Sequence, residues 1–222
     1  MFSDALMKLW NKGIIQLGIW ETIYMTLLST AIAYIIGLPI GVLLSITDKE
    51  GIRPIPWLNK SLGIVVNIFR SIPFVILMVA ILPAAKAVVG TSIGNRATLV
   101  VAAAPYIARM VESSIKEVDK GVIEAAQAMG TPSFKIITKV LIPEAKPALI
   151  VGAVISTVTV LGYSAMAGTI AGGGLGKIAI INGYQRSESD IIWVCVVLTI
   201  IIVEIIQEVG MRIALKTDKR IR

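Results

Sequence analysis

From Thr22 to Ile46 the chain runs for 25 residues without a charged side chain. A helix of that length is about 37 Å long, more than the roughly 30 Å hydrocarbon core of a bilayer. Four further apolar segments follow at about 61–83, 97–116, 147–166 and 190–211, the second interrupted by Arg70 and Pro73. These stretches predict an all-α, polytopic membrane protein with about five transmembrane helices. Composition agrees: of 222 residues 56% are hydrophobic and only 16% charged, where a soluble domain carries about a quarter.

The amino terminus imitates a secretion signal, with Lys8 and Lys12 ahead of an apolar run and Ala31-Ile32-Ala33 resembling a cleavage site. That run is too long for the roughly 7–15 apolar residues of a signal, so it is expected to be an uncleaved span. Before it, "DALMKLWNKGIIQLGIW" reads as an interfacial helix with Trp10 and Trp20 as belt residues.

Lys and Arg distribution sets the expected orientation. Loops 47–60 and 109–146 and the tail from Arg212 hold 14 cations, while the opposite side holds 6, namely Lys8, Lys12, Lys86, Arg96, Lys177 and Arg186. The cation-rich side should be cytoplasmic, placing the N-terminus outside and the C-terminus inside. The formal charge of +7 thus reports topology, and no nucleic-acid partner is inferred from it.

The residue inventory narrows the chemistry. There is no histidine, the commonest general base and metal ligand, and no catalytic residue, metal site or cofactor is expected. Cys195, the one cysteine, lies within "IIWVCVVLTIIIV" and reads as a buried space-filler. "AGGGLGKIA" at 171–179 imitates a phosphate loop, but Ala171 replaces the first Gly and Ile178 the Ser or Thr. Gly174 to Ala179 also fits GxGxxA, yet nothing before it reads as a strand. A flexible external turn is the expectation there.

Small residues recur every four positions in the first span, at Ser29, Ala33, Gly37, Gly41 and Ser45, and again at Ala148, Gly152 and Ser156. Such rows let helix backbones approach closely in lipid, which predicts a packing seam. Pro39 should kink the first span. "SESD" at 187–190 has the form of a capping box opening the last one.

Between the third and fourth spans lies "EAAQAMGTPSFKIITKVLIPEA". Asp119 is a suitable N-cap for a short helix, and Gly130 a natural stop. Thr131 then caps a second helix with Pro132 at its first position, and Pro143 ends it. Val122, Ala126 and Met129 should share one apolar face. In the second helix Phe134, Ile137, Val140 and Leu141 lie opposite Lys135 and Lys139. This is a charged helix–turn–helix with apolar faces for docking, too short to span.

Glu124-Ala125-Ala126, Gly130 and Val140-Leu-Ile142-Pro143 resemble the EAA---G---------I-LP signature of the membrane subunits of binding-protein-dependent ABC importers, with Val140 for Ile and Ile142 for Leu. In that family the segment is a coupling helix seated in a cleft of a cytosolic ATPase. The resemblance implies that residues 119–143 do this here, within a single permease domain spanning 1–222. Glu124, Ala125, Ala126, Gly130 and Pro143 are the coupling residues it implies. "NIFRSIPF" at 67–74 and "GYSAMAGTIAGGGLGKIAI" at 162–180 are similar to the methionine importer permeases. The resemblance implies a bacterial inner-membrane homodimer, with two cytosolic ATPase subunits below and an extracytoplasmic solute-binding protein above. It also implies inward transport of methionine, or of another small amino acid or solute, by ATP-driven alternating access.

Two other function classes are open to such a chain. An ion-coupled transporter or channel keeps ionisable groups near the midplane, for which Arg70, Glu204 and Glu208 are the candidates. Glu204, Glu208 and Arg212 are spaced four apart, which favours an ion-pair row instead. A membrane enzyme would need catalytic groups absent from this inventory. Finally, Tyr163 and Met166 are bulky residues three apart among small ones near the outer end of the fourth span. They fit either ordinary packing or a gate on the dimer axis, with Met166 closing the pathway and Tyr163 supporting it.

Overall fold

The computed structural model describes residues 4–168 and 172–217. Ala171, Lys219, Arg220 and Arg222, used above, lie outside the described residues. No strand occurs among the described residues, as expected of a chain whose backbone polar groups must be satisfied without water. In order, the helices are α1 (Asp4–Asn11), α2 (Ile14–Ile46), α3 (Pro56–Ser71), α4 (Phe74–Val89) and α5 (Thr91–Lys116). They continue with α6 (Lys120–Ala128), α7 (Ser133–Ile136), α8 (Ile142–Ala167), α9 (Gly174–Lys177) and α10 (Ser189–Thr217). π-helical turns at Ile137–Leu141 and Ile178–Tyr184 extend α7 and α9.

The five expected segments are all helical, but they are not five equivalent spans. Ile14–Ile46, Ser133–Ala167 and Ser189–Thr217 are each long and apolar enough to cross a membrane, whereas α3 and α4 qualify only as one broken pair. The break falls at Pro73, which precedes α4 with φ −54° and ψ 133°. Helix α5 has the length, at 26 residues, but not the apolarity. Three of its polar side chains turn inward: Thr98, Glu112 and Ser114 are buried.

Three boundaries differ from the sequence reading. The interfacial helix ends at Asn11, because Gly13 takes φ 71° and α2 begins at Ile14, so Trp20 belongs to α2. Pro143 does not end a helix, since Ser133–Ala167 runs on through it. The wider π turn before it, with the Ile142 amide donating to the Ile137 carbonyl, moves the backbone out of the register in which the proline ring would clash. At the last span α10 begins at Ser189, and Ser187 has φ 57° instead of capping it. Helix α2 is likewise continuous through Pro39.

The described residues pack as two compact units. Of the described residues, the first draws on 4–32, 72–103, 157–168 and 172–207, and the second on 33–71, 104–156 and 208–217. Ile15, Leu161, Leu175, Ile178, Ile191 and Cys195 are buried in the core of the first, so the cysteine is the space-filler expected. In the second, Gly37 and Gly41 of the small-residue row form a seam against α5. A Cβ on Gly41 would lie 2.5 Å from the Ala108 carbonyl oxygen and 2.7 Å from Val111 Cβ, and one on Gly37 2.8 Å from Ile107 Cγ2. Gly152 of α8 meets Met110 and Ser114 in the same way. The Ser114 hydroxyl donates to the Met110 and Ala148 carbonyls. Close backbone approach and interhelical hydrogen bonding hold these helices together where lipid provides no hydrophobic drive.

Candidate functional site

Residues 119–143 are built by local rules. The Asp119 carboxylate accepts from the Gly121 amide at 2.6 Å and caps α6. Gly130, with φ 71°, stops it. The Gly130 amide donates to the Gln127 carbonyl and the Thr131 amide to that of Ala126, the paired bonds of a Schellman turn. The restart is one residue later than expected: Pro132 is the cap, with φ −64° and ψ 143°, and α7 begins at Ser133.

Burial sorts the side chains of this segment into two sets. Ala126, Ile136 and Leu141 are buried against the chain. Val122, Met129 and Phe134 face outward, Met129 at 77% and Phe134 at 76% exposure. Glu124, Ala125, Gly130 and Pro143 are also exposed. The expected apolar faces are therefore divided: Ala126 anchors α6 while Val122 and Met129 are left uncovered, and Phe134 parts from Leu141. An exposed Met and Phe flanking a rigidly capped turn are the kind of apolar surface that a partner covers.

Beside the segment is a cavity of about 520 Å³, lined in part by Asp48, Glu50, Lys116, Lys120, Glu124 and Gln127. Lys116 Nζ lies 2.6 Å from Asp48 Oδ2 and 2.9 Å from Glu112 Oε1, and Lys120 pairs with Glu50. The Lys116 hydrogen bond holds the Asp48 carboxyl below its ordinary value, and Lys120 does the same for Glu50. Glu50 in turn raises Lys120.

In the other unit, Tyr163 and Met166 are near the C-terminal end of α8. The Tyr163 ring stacks on Phe74, with centroids 3.7 Å apart and planes 14° from parallel, and Met166 is 45% exposed. The glycine turn is held rather than loose. Glu21 Oε2 accepts from the Gly174 amide at 2.9 Å, and Thr22 Oγ1 from the Leu175 amide at 2.9 Å. Arg96 Nη2 donates to Glu21 Oε1 at 2.8 Å. Gly173 and Gly174 have φ of 100° and 77°, and a Cβ on either would press into Glu21 or Thr22.

Sequence reasoning missed Glu21, whose partners Arg96 and Gly174 lie far along the chain, and Glu112, whose partners Arg109 and Lys116 stand three and four residues away on the same helix. For Glu21 the available signal was a carboxylate within an apolar helix, and for Glu112 the helical spacing to Arg109 and Lys116. Of the candidates for ion coupling, Glu208 pairs with Arg212 at 2.7 Å, while Arg70 and Glu204 are exposed.

Comparison with known proteins places this geometry. The family described as "binding-protein-dependent transport system inner membrane component" matches residues 37–221. The probable D-methionine transport system permease protein MetI of Vibrio cholerae is 45% identical over 213 residues, 95% of each chain. The methionine import system permease protein MetP of Bacillus subtilis is 45% identical over 218 residues, 97% of this chain and 96% of that one. A chain of the MetNI methionine ABC transporter, solved in inward-facing conformations, superposes with a TM-score of 0.91 at 42% identity, covering 98% of this chain and all of that one. A helical, multi-pass chain matched along nearly its whole length by such permeases belongs to the family of binding-protein-dependent transport system inner membrane components.

Proposed function

We propose that this chain is the permease subunit of an ATP-driven methionine importer, and that residues 119–143 are its ATPase-coupling segment. The observation that carries the reading is the exposed Met129 and Phe134 around the capped Gly130 turn. A surface so apolar on so short and charged a segment is suited to a protein cleft. Glu124 and Ala125 supply its exposed rim, Ala126 its anchor, Gly130 its turn and Pro143 the exit into α8. Methionine as substrate rests on the names of the relatives.

Two copies of the chain pair around a shared pathway, two cytosolic ATPase subunits bind the two segments, and a solute-binding protein delivers substrate from outside. Hydrolysis takes place on the ATPases. Their closure on ATP draws the segments together and favours the outward-open state, and hydrolysis returns the inward-open one, so that nucleotide shifts a two-state equilibrium. Met166 gates the pathway on the dimer axis, with Tyr163 stacked on Phe74 as its support. The N-terminus is outside and the C-terminus cytoplasmic.

The deciding experiment is uptake of labelled methionine into proteoliposomes that hold the permease and its ATPase, with the binding protein added. Uptake should require both ATP and the binding protein. Uptake driven by an ion gradient without ATP would overturn the reading. In a Cys195→Ala background, single cysteines at Lys135 and Ser187 should label from opposite faces of the membrane. Met166→Cys should cross-link the two copies on oxidation; failure to cross-link, together with normal transport by Met166→Ala, would leave Met166 as ordinary packing.

A further inference from the structure

We infer that Glu112 is a positioning residue for coupling: with Asp48, Lys116 and Arg109 it forms one charged chain that fixes how residues 119–143 leave α5. This deepens the coupling reading above and rests on it.

The chain starts from a rigid bracket, the loop after α2. The last carbonyls of a helix lack partners within it, and here the loop and α3 supply them. Thr47 Oγ1 donates to the Leu43 carbonyl at 2.6 Å, Asn59 Nδ2 to Leu44 at 2.7 Å, and the Arg53 amide to Ile46 at 2.9 Å. From this bracket Asp48 reaches Lys116, the last residue of α5, and Glu50 reaches Lys120, the first of α6. The two lysines stand on either side of the joint at 117–119, so the bracket grips both ends of it.

Lys116 passes the contact inward. Its second partner is Glu112 Oε1 at 2.9 Å, and Glu112 Oε2 meets Arg109 Nη1 at 2.5 Å. Arg109 Nη2 then donates to Asn67 Oδ1 at 2.9 Å and to the Gly63 carbonyl at 3.3 Å, both on α3. Charge alternates along Asp48, Lys116, Glu112 and Arg109. Glu112 is the pivot: it is 7% exposed and each carboxylate oxygen is taken by a different cation. Apolar packing would stabilise such a site at least as well as buried charge. What the charged row adds is direction, because each group is held on two sides and the joint cannot turn without breaking a pair.

The test is methionine transported per ATP hydrolysed by the assembled transporter in proteoliposomes. It compares the wild type, Glu112→Gln, Asp48→Asn, the double variant, and Glu112→Asp. Glu112→Gln should lower the ratio about fivefold or more, the scale of a modest coupling free energy, while hydrolysis on the ATPase continues. Asp48→Asn should lower it less. The double variant should be no worse than Glu112→Gln, because both act through Lys116, and Glu112→Asp, which keeps the charge, should recover much of the loss. Ratios at the wild-type value in both single variants would overturn the proposal. So would a Glu112→Gln chain that fails to assemble beside an Asp48→Asn chain that couples normally. Absence of ATP-dependent uptake by the wild type would instead strike the importer reading itself.

Discussion

Gly130 and Gly174 share a left-handed backbone, with φ of 71° and 77°, and differ in everything around them. A Cβ on Gly130 would meet nothing within 4 Å, whereas one on Gly174 would lie 2.7 Å from Thr22 Oγ1. The Gly174 turn is closed by the chain itself, through Glu21, Thr22 and Arg96. The Gly130 turn is finished in its backbone and unfinished in its surface, leaving Met129 and Phe134 uncovered. Positive φ therefore marks both turns, but only the surroundings tell an internal clasp from a surface offered to a partner.

The largest effect that would sharpen this contrast is expected at Gly174→Val. Left-handed strain and overpacking against Thr22 should together cost about 3 kcal/mol or more, read as a marked fall in Tm or in the yield of intact protein. A wild-type melting curve would show that the clasp is loose. Gly130→Val meets open space, so only backbone strain remains, about 1–2 kcal/mol. The protein should fold with a modestly lower Tm but move less methionine per ATP, and Gly130→Asn should be milder on both counts. Equal damage at the two glycines would erase the distinction drawn here.

Smaller effects come from the charges. Glu21→Gln keeps an acceptor for the Gly174 amide and loses the pairing with the part-exposed Arg96, which should cost about 1 kcal/mol or less in a thermal melt. Asp48 provides the pH test. Its folded pKa is depressed below 3.8 by Lys116, so its contribution is fully present above that value and is lost as pH falls through the folded one. The Tm difference between wild type and Asp48→Asn should therefore be constant near neutrality and shrink in acid. A difference that grows in acid would contradict the pairing.

Much of this was legible because it follows from local rules. Asp119 and Gly130 bound α6 by capping chemistry alone, and the four-residue spacing of Gly37 and Gly41 marked a seam before its partner helix was known. The misreadings have two causes, one local and one long-range. Pro143 normally breaks a helix, but a π turn five residues long relieved the clash. The glycine turn at 172–176 looked loose because its partner, Glu21, lies 153 positions away from Gly174 in sequence. Arg109 and Glu112 could be read as charges near a membrane edge, but not as a chain reaching Asp48 and Asn67, since that depends on which helices meet. Local geometry is written in neighbouring residues; pairing across the chain is not.

The central claim is that the surface around Gly130 is completed by the ATPase and the turn at Gly174 by the chain itself. Hydroxyl-radical footprinting of the wild-type protein, with the ATPase bound and after its removal, tests this directly. Met129 and Phe134 should be oxidised readily without the ATPase and protected with it, while Leu175, buried beside the clasp, should be protected in both. Equal oxidation of Met129 and Phe134 in the two states would contradict the account.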